Sequence, residues 1–531
     1  MALILTSSAH RRGGGARWAL PFACCGTALV CGLPALMVLW MAMTGEAALS
    51  DAPFLWDSVA GTLGLIVVGG GLAALLGASA AWLVSMCAFP GRSVMSWALI
   101  LPLAAPAYVL AYAYSALTWA GGPIPWPISG FWGAAFIYAL AFYPYVYLAA
   151  RAAFASQSVC ALEAARSLGA SPWRMMMAVA TPLAWPGVAA GLALAAMEIA
   201  GDYGVAQYFG ATTITTGVFR AWFSRADPLL ALEMASLLLI GAAVFLGLER
   251  FVRGRRGFAG GSTRWRPLPR YTLSPLAGAG ALLFCAGLVT LAALLPLGWL
   301  VRMAAMRPLS ELPLLGEPLI NTVALAGAAA LVTLPLAAVL AAGARQSAPR
   351  VRWVGQGALF AAAMGYAAPG AVIALGALAA FASLRDSGFV GGLTGTTALF
   401  ALIWTYAARF AAPGAQPIEA GLARVSPSLG HAARSLGARP LRRFFQVDAP
   451  LAAPSVAAAA LIVFVEAMKE LPATLILRPF DFDTLAVRAF AYAADERLQQ
   501  AAAPALLIVA VGLIPVVVLS ARIERSRAGA E

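Results

Sequence analysis

About a dozen stretches of some twenty mostly apolar residues recur along this chain, and nothing else in it limits the fold as strongly. A helix needs roughly 20 such residues to cross the hydrocarbon core of a bilayer. Windows of that length fall near 19–42, 59–85, 95–118, 131–150, 183–204 and 229–249. After a break they resume near 273–300, 319–344, 354–382, 394–412, 450–471 and 501–521. Alternation with a period of two is missing, which argues against a β-barrel. Of the 531 residues, 62% are hydrophobic and 11% charged, against roughly half and a quarter in a soluble domain. The expected fold class is all-α: a polytopic membrane protein of about 12 transmembrane helices.

The formal net charge of +13 could suggest nucleic acid, but the position of the charges argues otherwise. Glu46, Asp51 and Asp57 lie between the first two windows with no Lys or Arg, and Trp119–Gly130 has no charge at all. Arg92, then Arg151, Arg166 and Arg174, then seven Arg in Arg250–Arg270 fall in every other connection. Arg345, Arg350 and Arg352 and a cluster from Arg424 to Arg443 continue the series. Counting spans places these basic connections on one side together with both termini, which is the positive-inside pattern of a multi-pass inner-membrane protein. The partner that the charge implies is the lipid bilayer, with both termini cytoplasmic and no nucleic acid. The first window follows Arg11, Arg12 and Arg17. Its apolar run is longer than a signal-peptide core and no small-x-small site follows, so a retained span is expected. Cys24, Cys25, Cys31, Cys87, Cys160 and Cys285 lie mostly in or beside apolar windows without metal-ligand spacing, and read as small buried hydrophobes.

The chain also repeats itself. "EAARSLGASPWRMMMAVATPLAWPG" runs from Glu163 to Gly187 and "HAARSLGARPLRRFFQVDAPLAAPS" from His431 to Ser455, with Pro172/Pro440, Pro182/Pro450 and Pro186/Pro454 each 268 residues apart. Ser58–Ala78 aligns with Asn321–Ala341, and the prolines Pro102 and Pro106 echo the stretch Tyr366–Pro369. Six windows per copy bring the second copy in with the orientation of the first, so the halves are parallel repeats. The expected division is a first half, 1–250, with the repeated loop at 156–182. A basic cytoplasmic linker follows at 251–272, and then a second half, 273–531, with its loop at 419–449. Gly69, Gly70 and Gly71 read as a site of close helix approach.

Each repeated loop reads as a helix, a break and a second helix. Leu162, Ala165 and Leu168 recur at helical spacing and leave Glu163 and Arg166 on another face. Gly169 suits the left-handed turn that ends a helix, and Ser171-Pro172 is a start signal for the next. The second copy keeps Gly437 and Pro440 but has Arg439 at the cap. Such an elbow buries its apolar face either on lipid or on a partner, and duplicated elbows suggest two matching partners. The chain carries no Gly-x-x-x-x-Gly-Lys-Ser/Thr loop, and its only Lys is Lys469. Any ATP would be bound by another polypeptide.

The loop resembles the Glu-Ala-Ala loop of permeases in bacterial ATP-binding-cassette importers, through Glu163, Ala164, Ala165, Gly169, Val179 and Pro182. The second copy matches at Ala432, Ala433, Gly437, Val447 and Pro450. The resemblance implies that Glu163, Ala164, Ala165, Gly169 and Pro172, with His431, Ala432, Ala433, Gly437 and Pro440, form coupling helices. These would dock on two copies of a cytoplasmic ATP-binding subunit, with ATP and magnesium held there and no cofactor in this chain. Two departures stand out: His431 replaces the Glu, and Thr181 and Ala449 stand where the family often has Leu. The first puts an acidic contact from the second loop in doubt.

Two further stretches, "MEIAGDYGVAQYFGATT" and "EAMKELPATLILRPFDF", follow the fifth and eleventh windows. Glu198/Glu466 and Asp202/Glu470 are again 268 apart. Ionised groups near span ends need water, a partner or a function. Glu466 and Lys469 at i,i+3 can pair. The stretches are similar to those of ferric-iron importer permeases, through Asp202-Tyr203-Gly204, Tyr208-Phe209-Gly210 and the run Lys469–Thr474. That likeness implies a periplasmic substrate-binding protein as partner and ferric iron as cargo, with no tightly bound metal in this chain. Fe³⁺ is a hard cation that prefers carboxylate and phenolate oxygen. Glu198, Asp202, Tyr203, Glu466, Lys469 and Glu470 are therefore the candidate substrate pathway. Thiamine and polyamine permeases share these words and leave the substrate open. A secondary transporter driven by an ion gradient is the rival from another class, and would place titratable residues at mid-span. Two His and no metal-spaced cluster leave a membrane enzyme little to work with.

Overall fold

A computed structural model describes residues 16–45, 54–118, 122–155, 157, 167–169, 174, 176–255, 270–306, 315–345, 349–386, 394–423, 435 and 449–525. Within them each apolar window lies on helix over most of its length. Inside a bilayer the backbone must satisfy its own hydrogen bonds, which leaves an apolar chain little else to form. Among the described residues nine helices are long and apolar enough to cross a membrane, or eleven if two bent pairs each count as one span. The helix Gly395–Ala423 fills the remaining window but is more polar, with Arg409 and Glu419 in it. Among the described residues the only strands are Cys87–Ala88 and Tyr271–Thr272, which pair in parallel.

The third and ninth windows, each expected as one span, are both bent at a break. Arg92–Ala104 meets Ala107–Thr118 at 93°, and Arg352–Ala367 meets Gly370–Arg385 at 110°. Pro106 and Pro369 stand at the two breaks. A proline lacks the N–H that would continue the ladder and drives the preceding residue out of helical geometry. The echo between these prolines in the sequence is thus an echo of a bend.

The chain divides into two compact units, each drawing on both sequence halves. One holds Met1–Leu49, Arg220–Ala242 and Pro313–Val487; the other holds Ser50–Phe219, Ala243–Leu312 and Arg488–Glu531. Each is the central part of one sequence copy joined by the flanking spans of the other.

In the first unit Gly316–Ala344, Gly395–Ala423 and Ala449–Met468 pack on one another, and Ala16–Thr44 lies against the bent pair Pro349–Ala367 and Gly370–Asp386. Small residues permit this approach: a Cβ on Gly376 would overlap the Pro34 carbonyl, and one on Gly365 would press on that of Ala408. The Trp404 indole N–H donates to the Val30 carbonyl at 2.8 Å. Cys24 and Cys31 are buried here, while Cys25 is exposed.

In the second unit Leu55–Met86 and Thr181–Gly201 pack on Gly130–Ala155. Tight glycines at these contacts include Gly77, whose Cβ would lie 2.6 Å from the Tyr143 carbonyl, and Gly191, 2.6 Å from the Val146 Cα. Gly69-Gly70-Gly71 contributes less than expected. Gly69 and Gly70 make ordinary or slightly close contacts and Gly71 faces open space. That run overlaps a π-helical turn, Ile66–Gly70. Leu295–Ala305 packs on Ala107–Thr118 and on Leu498–Arg525, and the Tyr114 hydroxyl donates to the Leu291 carbonyl at 2.6 Å. Arg151, read as a loop charge, is instead buried in the helix Gly130–Ala155 and donates to the Ser96 carbonyl at 2.7 Å. Tyr147 donates to the same oxygen at 2.8 Å.

Matching hydrogen bonds also correct the alignment of the copies. The Thr62 hydroxyl accepts from the Ile214 N–H and the Thr322 hydroxyl from the Leu485 N–H, both at 2.8 Å. Thr62 and Thr322 are 260 residues apart, so the register differs by three residues from that of Ser58–Ala78 on Asn321–Ala341. Three residues are nearly one helical turn, and an apolar helix aligned on composition alone slips easily by that amount.

Candidate functional site

The candidate carboxylates sit where two long helices end, at the end remote from the repeated loops. Thr181–Gly201 stops at Asp202, whose backbone is extended, and the short helix Gly204–Tyr208 follows. The Asp202 carboxylate accepts from the Val205 N–H at 2.7 Å and from the Tyr138 hydroxyl at 3.0 Å. It therefore caps the short helix, satisfying one of its orphan donors, and ties it to Gly130–Ala155. Glu470 does the same for Pro472–Leu477 in the other copy, where one carboxylate oxygen accepts from the Ala473 N–H at 3.2 Å.

The anchoring tyrosine is duplicated too. Tyr406 shares a 2.6 Å hydrogen bond with Thr474, whose hydroxyl also lies 2.8 Å from the Glu470 carbonyl. Tyr138 and Tyr406 are 268 apart, the spacing of the carboxylates themselves. That spacing is the signal by which they could have been found. Sequence reading also missed Arg409, which forms a largely buried ion pair with Glu470. The first copy has Ala141 at the position equivalent to Arg409. Both carboxylates thus cap a short helix, and Glu470 is in addition paired with an arginine.

Glu466 pairs with Lys469 at 2.8 Å, as their spacing suggested. Glu198 is half-buried on the last turn of Thr181–Gly201. Tyr203 is buried, stacks on Phe219 with centroids 3.7 Å apart, and lies 5.6 Å from Phe490. It lines a cavity of about 660 Å³ together with Gln207, Tyr208, Ser115 and Glu496.

Of the coupling residues, Gly169 alone falls within the described chain. Its φ is 75°, the left-handed conformation expected of it. Leu168 beside it is 87% exposed. The Gln157 amide donates to the Ala180 carbonyl at 2.7 Å and so joins the two ends of the first loop. Glu163, Ala164, Ala165, Pro172, His431, Ala432, Ala433, Gly437 and Pro440 lie outside the described residues.

The model of the family described as binding-protein-dependent transport system inner membrane component matches residues 73–257 and 312–528, once in each sequence half. The chain is similar to the Fe(3+)-transport system permease protein FbpB 2 of Haemophilus influenzae, with 27% identity over 502 residues, 92% of this chain and 95% of that protein. Shorter likenesses are to the molybdenum transport system permease protein ModB of Escherichia coli K12, 30% identical over 24% of this chain and 60% of that protein. A probable sulfate transport system permease protein, cysT, of Nephroselmis olivacea is 30% identical over 30% of this chain and 58% of its own length.

Proposed function

The chain belongs to the family of binding-protein-dependent transport system inner membrane components, and from that premise we propose that it is the permease of an ATP-driven importer of ferric iron. It is a multi-pass inner-membrane transport protein rather than an enzyme. The observation that carries the substrate is the likeness to an iron permease along 92% of this chain and 95% of that one. The molybdenum and sulfate likenesses cover 24% and 30% of this chain, the share expected of relatives that hold only the common scaffold.

Both termini and both repeated loops face the cytoplasm, following the one-sided arginines. Two copies of an ATP-binding subunit, which hold ATP and magnesium, dock on the loops around Gly169 and Gly437. The exposed Leu168 beside a left-handed glycine supports this, since it offers an apolar side chain on a turned elbow. A periplasmic binding protein delivers the ion to the opposite face. Closure of the ATPase pair draws the loops together and shifts the chain between inward- and outward-facing states. Each state must be favoured by its own contacts for the coupling to work. Glu198, Asp202, Tyr203, Glu466, Lys469 and Glu470 are the candidate route residues at the periplasmic end, where oxygen donors suit a hard trivalent cation.

Energy source separates this reading from a gradient-driven transporter. In cells whose iron uptake depends on this chain, depleting ATP with arsenate stops uptake. A protonophore applied while ATP is maintained leaves it running. The opposite pattern would reject the ATP-driven reading.

A further inference from the structure

The 660 Å³ cavity of the second unit is lined by more oxygen donors than a packing defect needs. Tyr203 and Tyr208 stand on and beside the short helix Gly204–Tyr208. Glu496 reaches the same cavity from the turn before Leu498–Arg525, within electrostatic reach of the Tyr208 hydroxyl. Tyr208 at present donates to the Ser115 hydroxyl at 2.9 Å. Behind it lies Tyr112, ring centroids 5.0 Å apart. Tyr112 is 1% exposed, and its hydroxyl is buried without a hydrogen-bond partner. That hydroxyl lies within electrostatic reach of Tyr108, Asp202, Tyr203 and Tyr208. A buried hydroxyl left unsatisfied costs about 1–3 kcal/mol, so its position asks for a ligand or another use.

The second sequence copy shows that this arrangement is not scaffold. At the 268-residue spacing Tyr203 becomes Leu471 and Tyr208 becomes Ile476; at the 263-residue spacing of the bend prolines, Tyr112 becomes Leu375. The carboxylate that remains there, Glu470, is neutralised by Arg409. Among the described residues no three His, Cys, Asp or Glu side chains converge. The oxygen-bearing side chains that line the cavity include the phenols Tyr203 and Tyr208, and the second copy lacks both.

We propose that this cavity is a transit site for a hard trivalent cation, held by the Tyr203 and Tyr208 phenolates and the Glu496 carboxylate, with the Tyr112 hydroxyl behind them. The inference rests on the ferric reading above and deepens it. Hard cations select oxygen ligands, and two phenolates with one carboxylate balance three positive charges. A charge-balanced site lowers the cost of placing the ion in a low-dielectric wall. Each phenol that binds releases its proton to water and regains it when the ion leaves, with no change of oxidation state. The exchangeable Tyr208–Ser115 hydrogen bond lets Tyr208 turn from one partner to the other.

The test uses the full chain in lipid nanodiscs titrated with ferric citrate, reading the visible phenolate-to-iron charge-transfer band. Tyr203→Phe with Tyr208→Phe removes both phenolates, and Glu496→Gln removes the carboxylate. Tyr143→Phe is the control, since Tyr143 is also buried with an unpartnered hydroxyl but does not line the cavity. Elution as a single species establishes that each variant is folded. The band is expected in the parent and in Tyr143→Phe. It should vanish in the double variant and need about tenfold or more iron in Glu496→Gln. No band in the parent, or an equal band in the double variant, overturns the site. Cellular uptake of radioactive iron runs beside it: uptake by the parent without a band rejects this site alone, whereas no dependence of uptake on the chain rejects the ferric reading and the site with it.

Discussion

Removing Arg409 while leaving Glu470 in place should be among the most damaging single changes in the first unit. The two side chains are 13% and 9% exposed, so water screens the pair poorly. Unit charges about 4 Å apart attract by roughly 4 kcal/mol at an effective dielectric of 20. Breaking one side of a buried pair costs about 3–5 kcal/mol because the other charge is stranded. Arg409→Met keeps the volume of the stem and removes the charge, and should cost about 3 kcal/mol. Adding Glu470→Gln removes the stranded charge yet keeps an oxygen for the Ala473 N–H, which now bonds the carboxylate at 3.2 Å. The double variant should therefore recover about 2 kcal/mol of that loss. Unfolding of the purified chain by SDS in mixed micelles, followed by tryptophan fluorescence, gives the four values of the cycle. A loss under about 1 kcal/mol for Arg409→Met, or a double variant equal to the sum of the singles, would refute the argument.

Gly376→Ala should destabilise the first unit by about 1–3 kcal/mol, since the added methyl meets the Pro34 backbone. Gly327→Ala, which faces open space, should change little in the same SDS titration. Gly169→Pro forces φ from 75° to about −65° and should abolish uptake and copurification of the ATP-binding subunit while the chain still inserts; Gly437→Pro should act alike. Normal uptake in both would reject the docking role. Asp51→Cys should react with an impermeant thiol reagent from outside the cell and Ser171→Cys should not, in a background where Cys25 is replaced; labelling of both would overturn the orientation.

Most of the helices were legible in the sequence because hydropathy and the backbone's need for internal hydrogen bonds point the same way in a bilayer. The pairing of Asp202 with Glu470 was legible because duplication leaves a constant spacing. Their work as helix caps was not, since it depends on the short helices Gly204–Tyr208 and Pro472–Leu477, which are too brief for any periodic signal. The right-angle bends at Pro106 and Pro369 were hidden because an apolar window records composition and not direction. Arg409 and Glu470 are separated by 61 residues, and nothing local announces their contact. The exchange of flanking spans between the two units was equally invisible. Apolar helix faces do not name their partners, and two parallel copies offer each span two equivalent neighbours.

Uptake of radioactive ferric iron by cells with and without this chain tests the account most directly, with thiamine, putrescine and molybdate uptake measured alongside. Deletion should abolish binding-protein-dependent iron uptake, and a plasmid copy should restore it, while the other three substrates enter at unchanged rates. Unchanged iron uptake together with loss of any one of the others would contradict the assignment.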